Sequence, residues 1–314
     1  MTAHFTRRDV MRIGAFVAGG LAFARSSSAA TGSVKASLIS RTIPASGEKI
    51  PIVGLGTNAY GVSAPQELAA RREVLERMVA MGASVVDTAP AYGDSESVLG
   101  GFLAELGIRD KLFVATKITA SEGEQNPGAA MFAESRRRLR TDQIDLLQVH
   151  SLKGTDTLMP VLHDWKAAKR IRYIGVTTSR GDQHAELLEA MRRHPLDFIQ
   201  VNYSLGDRDA ADRILPLAAE RGMAVLLNLP FGGRRGRNLF QVADGKPLPP
   251  WATELGIASW GQFFLKYAIS HPAVTCAIPG TTKVSHLDDN LAAGSGQLPA
   301  ASMRKKMEDF WDAL

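Results

Sequence analysis

Ile144-Asp145-Leu146-Leu147-Gln148-Val149 and, after the amphipathic stretch 160–169, Tyr173-Ile174-Gly175-Val176-Thr177 form a short apolar run, a helix and a second short apolar run. Each run is apolar on both of its alternating faces, the pattern of a strand covered on both sides. Parallel neighbours need a crossover, and a helix of about ten residues suits a right-handed one. The unit recurs in both directions. Strand candidates lie at 52–55, 84–87, 112–116, 144–149, 173–177, 198–201, 224–227 and 275–278. Helical patterns fall at 67–81, 95–106, 129–140, 160–169, 184–193, 209–221, 259–270 and 285–293. Eight such units over ~250 residues predict an α/β fold of the (β/α)8 TIM-barrel type, with an open doubly wound sheet as the alternative.

No Pro/Gly/Ser linker divides the chain, so residues 31–314 read as a single domain. An N-terminal hairpin is expected in 33–49, turning at Pro44-Ala45-Ser46-Gly47 and closing the barrel bottom. A C-terminal helix is expected at 301–311, outside the barrel. The stretch 230–250 is too long and too rich in Gly, Pro and Arg for a plain connection, and loops of that size often carry function.

The chain has 314 residues, 45% hydrophobic and 22% charged, a composition that excludes extended disorder. Its one cysteine, Cys276, rules out an internal disulfide and any zinc site needing two cysteines. The seven histidines form no HExxH, so no metal is expected.

The first thirty residues read as an address. Arg7-Arg8 in a basic start, an apolar glycine-rich stretch 13–24 and the small residues Ser28-Ala29-Ala30 make an export signal, cleaved after Ala30. The paired arginines resemble the bacterial twin-arginine (Tat) signal, whose machinery moves folded proteins. A periplasmic protein with no stable membrane insertion is expected, since the apolar stretch falls short of the ~20 residues of a permanent anchor; the alternative is an uncleaved amphipathic or membrane-anchoring N-terminus. Four of the 37 basic and one of the 32 acidic residues lie in this segment, so the remainder is nearly balanced. With no aromatic interleaving of its basic clusters, nucleic acid is not expected as a partner.

In a barrel of this kind chemistry sits where strands end. Asp87 ends the second strand and Tyr92 follows it. Lys117 ends the third and His150 the fourth. Together they make sense as a proton donor. A free phenol has a pKa of ~10, too high for efficient proton exchange near neutrality. An ammonium close by stabilises the phenolate, a carboxylate keeps the ammonium charged, and an imidazole can direct a substrate oxygen to the phenol. No nucleophile or metal is required. Taken singly, each residue has a structural reading as well: a turn cap, a packed loop aromatic, a paired charge and a hydrogen-bonded core histidine.

Gly54-Leu55-Gly56-Thr57, Asp87-Thr88-Ala89-x-x-Tyr92-Gly93, Ala115-Thr116-Lys117, Leu147-x-x-His150, Gln200-Val201-x-Tyr203 and Ile278-Pro279-Gly280-Thr281 resemble the aldo/keto reductases in content, order and spacing. The resemblance runs from about residue 39 to 291. It implies a (β/α)8 barrel that reduces aldehydes and ketones with NADPH, less often NADH. Tyr92 would be the general acid, Lys117 and Asp87 would tune it, and His150 would orient the carbonyl of a small-molecule substrate. Gly56, Thr57 and Asn58 match the segment beside the nicotinamide. Thr177, Gln200 and Phe231 are further candidates for cofactor binding, Gln200 at the carboxamide. Thr281 and Lys283 could meet a 2′-phosphate and Asn290 the adenine. For this last stretch the alternative is an ordinary helix start, with Ser285 and Asp288 as a capping pair.

Three positions depart from the family pattern. Where Ser-Asn is usual after the fifth strand, Thr177-Thr178 keeps a hydroxyl and lacks the amide. Asn228 stands where a tyrosine often stacks on the nicotinamide. His286 replaces a common arginine. Arg234, Arg235 and Arg237 could lie over the pyrophosphate or belong to a mobile surface loop. These departures keep a second reading open, a non-catalytic dinucleotide-binding or redox-sensing barrel. A lyase or isomerase using Lys117 and Tyr92 is the third. Gly54-x-Gly56 with Gly61 is not a dinucleotide fingerprint, and the chain has neither a P-loop nor a GxSxG.

Overall fold

The computed structural model describes residues 37–121, 123–233 and 238–314. The expected export signal with its cleavage point at Ala30, and the loop arginines Arg234, Arg235 and Arg237, lie outside the described residues. Residues Ala36–Leu314 form one compact unit.

A two-stranded hairpin comes first, β1 (Ser40–Thr42) paired antiparallel with β2 (Lys49–Pro51). Eight parallel strands follow: β3 (Leu55–Gly56), β4 (Val85–Asp87), β5 (Phe113–Ile118), β6 (Ile144–His150), β7 (Ile171–Thr177), β8 (Phe198–Asn202), β9 (Ala224–Asn228) and β10 (Cys276–Ala277). They lie side by side in sequence order. The sheet also closes on itself. Val53 bridges Ala277 and Gly56 bridges Gly280, both in parallel sense. The Gly54 N–H donates to the Ala277 carbonyl at 2.8 Å and the Gly56 N–H to the Pro279 carbonyl at 3.1 Å. An open doubly wound sheet would leave two edges here, so the barrel is the fold.

Helices α1 (Pro65–Ala80), α2 (Ser95–Leu106), α3 (Ala129–Leu139), α4 (Thr155–Ala167), α5 (His184–Arg193) and α6 (Ala210–Glu220) form the first crossovers. Helices α7 (Leu239–Ala243), α8 (Trp260–Ile269), α9 (Val284–Ala293) and α10 (Ala301–Asp312) follow. No helix among the described residues is long and apolar enough to cross a membrane.

Two elements differ from the sequence reading. Helix α4 starts at Thr155 rather than 160. Proline favours the first helical position, which suggests a start at Pro160. The preceding turn forms nonetheless, because it buries Leu158 and Met159. Inside the stretch 230–250 lies the short α7, closed at its start by a capping box between Asn238 and Gln241. The Phe240 N–H donates to Asn238 Oδ1 at 2.9 Å.

The barrel interior explains why the site is where it is. Val85, Phe113, Ala115, Leu146, Tyr173, Phe198, Ala224, Leu226, Cys276 and Ile278 form one buried cluster, with Ile43 and Ile50 of the hairpin plugging its N-terminal end. These residues alternate along their strands, and side chains two apart share a face. Continuing each alternation toward the C-terminal end reaches Asp87, Lys117, Gln148 and His150, Thr177, Gln200 and Asn202, and Asn228. The interior is thus apolar at the base and polar at the mouth.

Candidate active site

Lys117 is the most deeply placed charge at the mouth, its side chain 1% exposed. Its Nζ donates to Asp87 Oδ2 at 2.6 Å and to the Thr88 carbonyl at 2.8 Å. An ammonium this deep needs such partners, since a buried unpaired charge costs several kcal/mol. Burial pulls the Lys117 pKa down, but the charge of Asp87, and then that of Tyr92, outweigh it and hold the pKa above the ordinary lysine value. Burial pushes Asp87 up. Lys117 opposes that, as do hydrogen bonds from Gln200 and Gln148, without cancelling it.

Tyr92 closes a single 3-10 turn, Pro90–Tyr92, directly beyond β4. Proline presets the first residue of that turn, so the chain doubles back at once and brings the half-buried phenol ring over Lys117. Nζ lies 5.0 Å from the ring centroid, and the Tyr92 phenol oxygen accepts a hydrogen bond from the ammonium. On the other side the His150 ring stands edge-on to Tyr92, with centroids 6.2 Å apart and planes at 89°. After His150 the backbone turns sharply through Ser151 and Leu152, at φ of 52° and 60°. For non-glycine residues that region costs roughly 1–2 kcal/mol each. The strain therefore sits immediately beside the imidazole.

The four residues expected to act together are thus brought together, and Gln148 joins them. Its Nε2 donates to Asp87 Oδ1 at 3.3 Å. Gly175 makes room for it, because a Cβ there would stand 3.1 Å from Gln148 Cγ and 3.1 Å from the Phe198 carbonyl. Sequence reasoning passed over Gln148 as one residue of an apolar strand. The signal was its place two residues before His150 and two after Leu146, on the inward face.

A sequence model of the aldo/keto reductase family matches residues 52–308. The chain belongs to that family. It is 29% identical to the methylglyoxal reductase YeaE of Escherichia coli over 267 residues, 81% of this chain and 89% of that protein. It is 34% identical to the aldo-keto reductase YhdN of Bacillus subtilis over 194 residues, a match that spans about half of either protein, 56% of each. Among solved structures, an aldo/keto reductase from Klebsiella pneumoniae in complex with NADP and acetate superposes with a TM-score of 0.70 at 24% identity, over 84% of this chain and 93% of that one.

The remaining residues assigned from the family pattern lie near or beyond the C-terminal ends of β3, β7, β8, β9 and β10. Gly56 pairs with Asp87 on one side and bridges Gly280 on the other, so the segments after β3 and β10 adjoin. A Cβ on Gly56 would come within 2.9 Å of the Ile278 carbonyl. Asn58 is exposed beside Gly280. The Thr57 hydroxyl is buried and donates to the Asp87 carbonyl at 2.9 Å, and the Ser95 hydroxyl donates to the Thr57 carbonyl at 2.7 Å. Thr57 therefore ties this loop to β4. Thr177 and Gln200 are buried side by side in register on β7 and β8. Phe231 lies farther out, against Phe240 at 5.1 Å between ring centroids. Thr281 is buried at the start of α9, where its Oγ1 accepts the Lys283 N–H at 3.3 Å. Lys283 is exposed at the cap, and Asn290 is buried within the helix. The alternative capping pair does not form. Lys283 is the cap residue of α9, and Asp288 instead pairs with Arg77 at 2.8 Å.

Proposed function

We propose that this protein reduces an aldehyde or ketone to the alcohol with NADPH, Tyr92 giving the proton. The observation that carries this reading is Lys117, buried against Asp87 and directed at the Tyr92 ring. When bound, a reduced nicotinamide supplies the hydride. The described residues fit such a cofactor. Gln200 presents a buried side-chain oxygen that lacks a hydrogen-bond partner among the described residues, and the α9 start offers Thr281 and Lys283 beside a helix N-terminus, a setting that favours phosphate.

The chain's own groups then have defined tasks. His150 directs the carbonyl oxygen toward Tyr92. Tyr92 transfers its proton to that oxygen as negative charge builds there. Lys117 stabilises the phenolate left behind, and Asp87 keeps Lys117 in place. The carbonyl gains one hydride and one proton and becomes an alcohol. Bulk solvent reprotonates the half-buried phenol. The similarity to a methylglyoxal reductase makes small reactive aldehydes the first compounds to try. NADPH oxidation followed at 340 nm with methylglyoxal and aromatic aldehydes should show turnover. Binding of NADPH with no turnover across such a panel would favour the non-catalytic barrel.

We also propose that the precursor leaves the cytoplasm folded, through the Tat machinery, and works in the periplasm. Arg7-Arg8 and the apolar stretch behind them support this. Replacing both arginines by lysine should leave the full-length precursor in the cytoplasmic fraction. A periplasmic product of unchanged amount would overturn the export route.

A further inference from the structure

Of the four amide side chains at inward positions of the mouth, three have a buried oxygen left over: Gln148 on β6, Gln200 on β8 and Asn228 on β9. Each is held through its NH2 group. Gln148 Nε2 donates to Asp87, Gln200 also hydrogen-bonds Asp87, and Asn228 Nδ2 donates to the Thr178 carbonyl at 2.9 Å. An ionised carboxylate and a backbone carbonyl only accept, so the orientation of all three amides is forced. Their oxygens must face the other way. Gln148 Oε1, Gln200 Oε1 and Asn228 Oδ1 are all buried without a hydrogen-bond partner among the described residues. The neighbouring Asn202 is the contrast, since its amide is satisfied on both sides by His184 and Asp207.

Buried acceptors without donors are costly, and a cluster of them at a mouth that faces substrate and cofactor is suited to a donor brought by a ligand. The same mouth holds the Lys117 ammonium, which disfavours a second cation and favours a neutral N–H group. Gln200 pairs in register with Leu226 and Asn202 with Asn228, so Gln200 and Asn228 stand on a diagonal of adjacent strands. Two such acceptors match the two N–H groups of one primary amide.

We infer that Asn228 Oδ1 joins Gln200, the carboxamide partner that the family pattern implies, in receiving the carboxamide NH2 of the nicotinamide, and that Asn228 thereby takes over from β9 the amide function absent at Thr178. The inference rests on the NADPH reading above and gives Asn228 a positioning role in it. It also makes the pocket selective for the carboxamide over groups of similar shape that lack N–H.

The test compares NADPH with the reduced 3-acetylpyridine analogue, in which a methyl group replaces the NH2, by calorimetric titration of the wild type and of Asn228→Leu. The wild type should bind the analogue about ten-fold or more weakly, as expected when buried acceptors lose their donors. Asn228→Leu should weaken NADPH by about five- to ten-fold and change the analogue by less than about three-fold. An equal loss for both ligands, or none for NADPH, overturns the role of Asn228. The comparison within one variant is internal, so partial unfolding would lower both affinities alike. If the variant does not fold, the wild type still decides, because equal binding of the two dinucleotides overturns the inference. A wild type that binds neither overturns the NADPH reading itself.

Discussion

Tyr92→Phe should lower kcat for carbonyl reduction by about 10²- to 10⁴-fold, the range associated with one positioned acid or base. Its affinity for NADPH should change little. The substitution removes one oxygen and keeps the ring. The edge-on packing with His150 and the position over Lys117 depend on the ring and survive. What is lost is the proton, and with it the neutralisation of the alkoxide that forms as hydride reaches the carbonyl carbon. Water could take over part of that work, since Tyr92 is only half-buried, and this sets the residual rate. Steady-state kinetics with the best aldehyde, alongside titration of NADPH, checks both halves. Retained turnover would move the proton donor elsewhere. A matching loss of cofactor binding would show that Tyr92 serves the pocket rather than the chemistry.

Much of this site was legible in the chain before any coordinates, for a physical reason. Parallel strands covered on both faces must be apolar, so a polar residue where such a strand ends stands out, and Asp87, Lys117 and His150 are found that way. Tyr92 follows from its short distance to Asp87. What could not be read is which polar atoms the fold consumes. The Thr57 hydroxyl looks available beside the nicotinamide segment, yet it is spent on the carbonyl of Asp87, thirty residues away. Gln148 hides between Leu147 and Val149, and only the choice of inward face distinguishes it. Asn228 reads as a lost aromatic, because its bond to Thr178 crosses fifty residues and two strands. The capping signal at Asn238 and Gln241 was present but was masked by the Gly, Pro and Arg composition around it. Local pattern reveals the strand and its end, while the hydrogen-bond bookkeeping of the mouth is set by long-range closure.

Lys117→Met should damage turnover and stability together, and a second substitution should separate them. Loss of a preorganised charge beside a reacting group is worth about 10²- to 10³-fold in kcat. The same change leaves Asp87, 2% exposed, as a buried carboxylate without its counter-charge, and breaking such a pair typically destabilises by about 3–5 kcal/mol. The pH dependence of that loss has a definite sign. Burial already holds Asp87 above the ordinary aspartate value, and without Lys117 the main opposing influence is gone. In the interval between the unfolded and folded values the native state then binds more protons than the unfolded chain, so stability falls as pH rises through it. The melting temperature of Lys117→Met should therefore climb as the pH is lowered from 8 to 5. Adding Asp87→Asn removes the carboxylate, so the double variant should regain most of the lost stability and lose that slope, with its kcat still depressed. Thermal melts at several pH values and kinetics on both variants make the test. A double variant that regained full turnover would mean that Lys117 serves only to neutralise Asp87, and the stabilisation of the Tyr92 phenolate would have to come from another group.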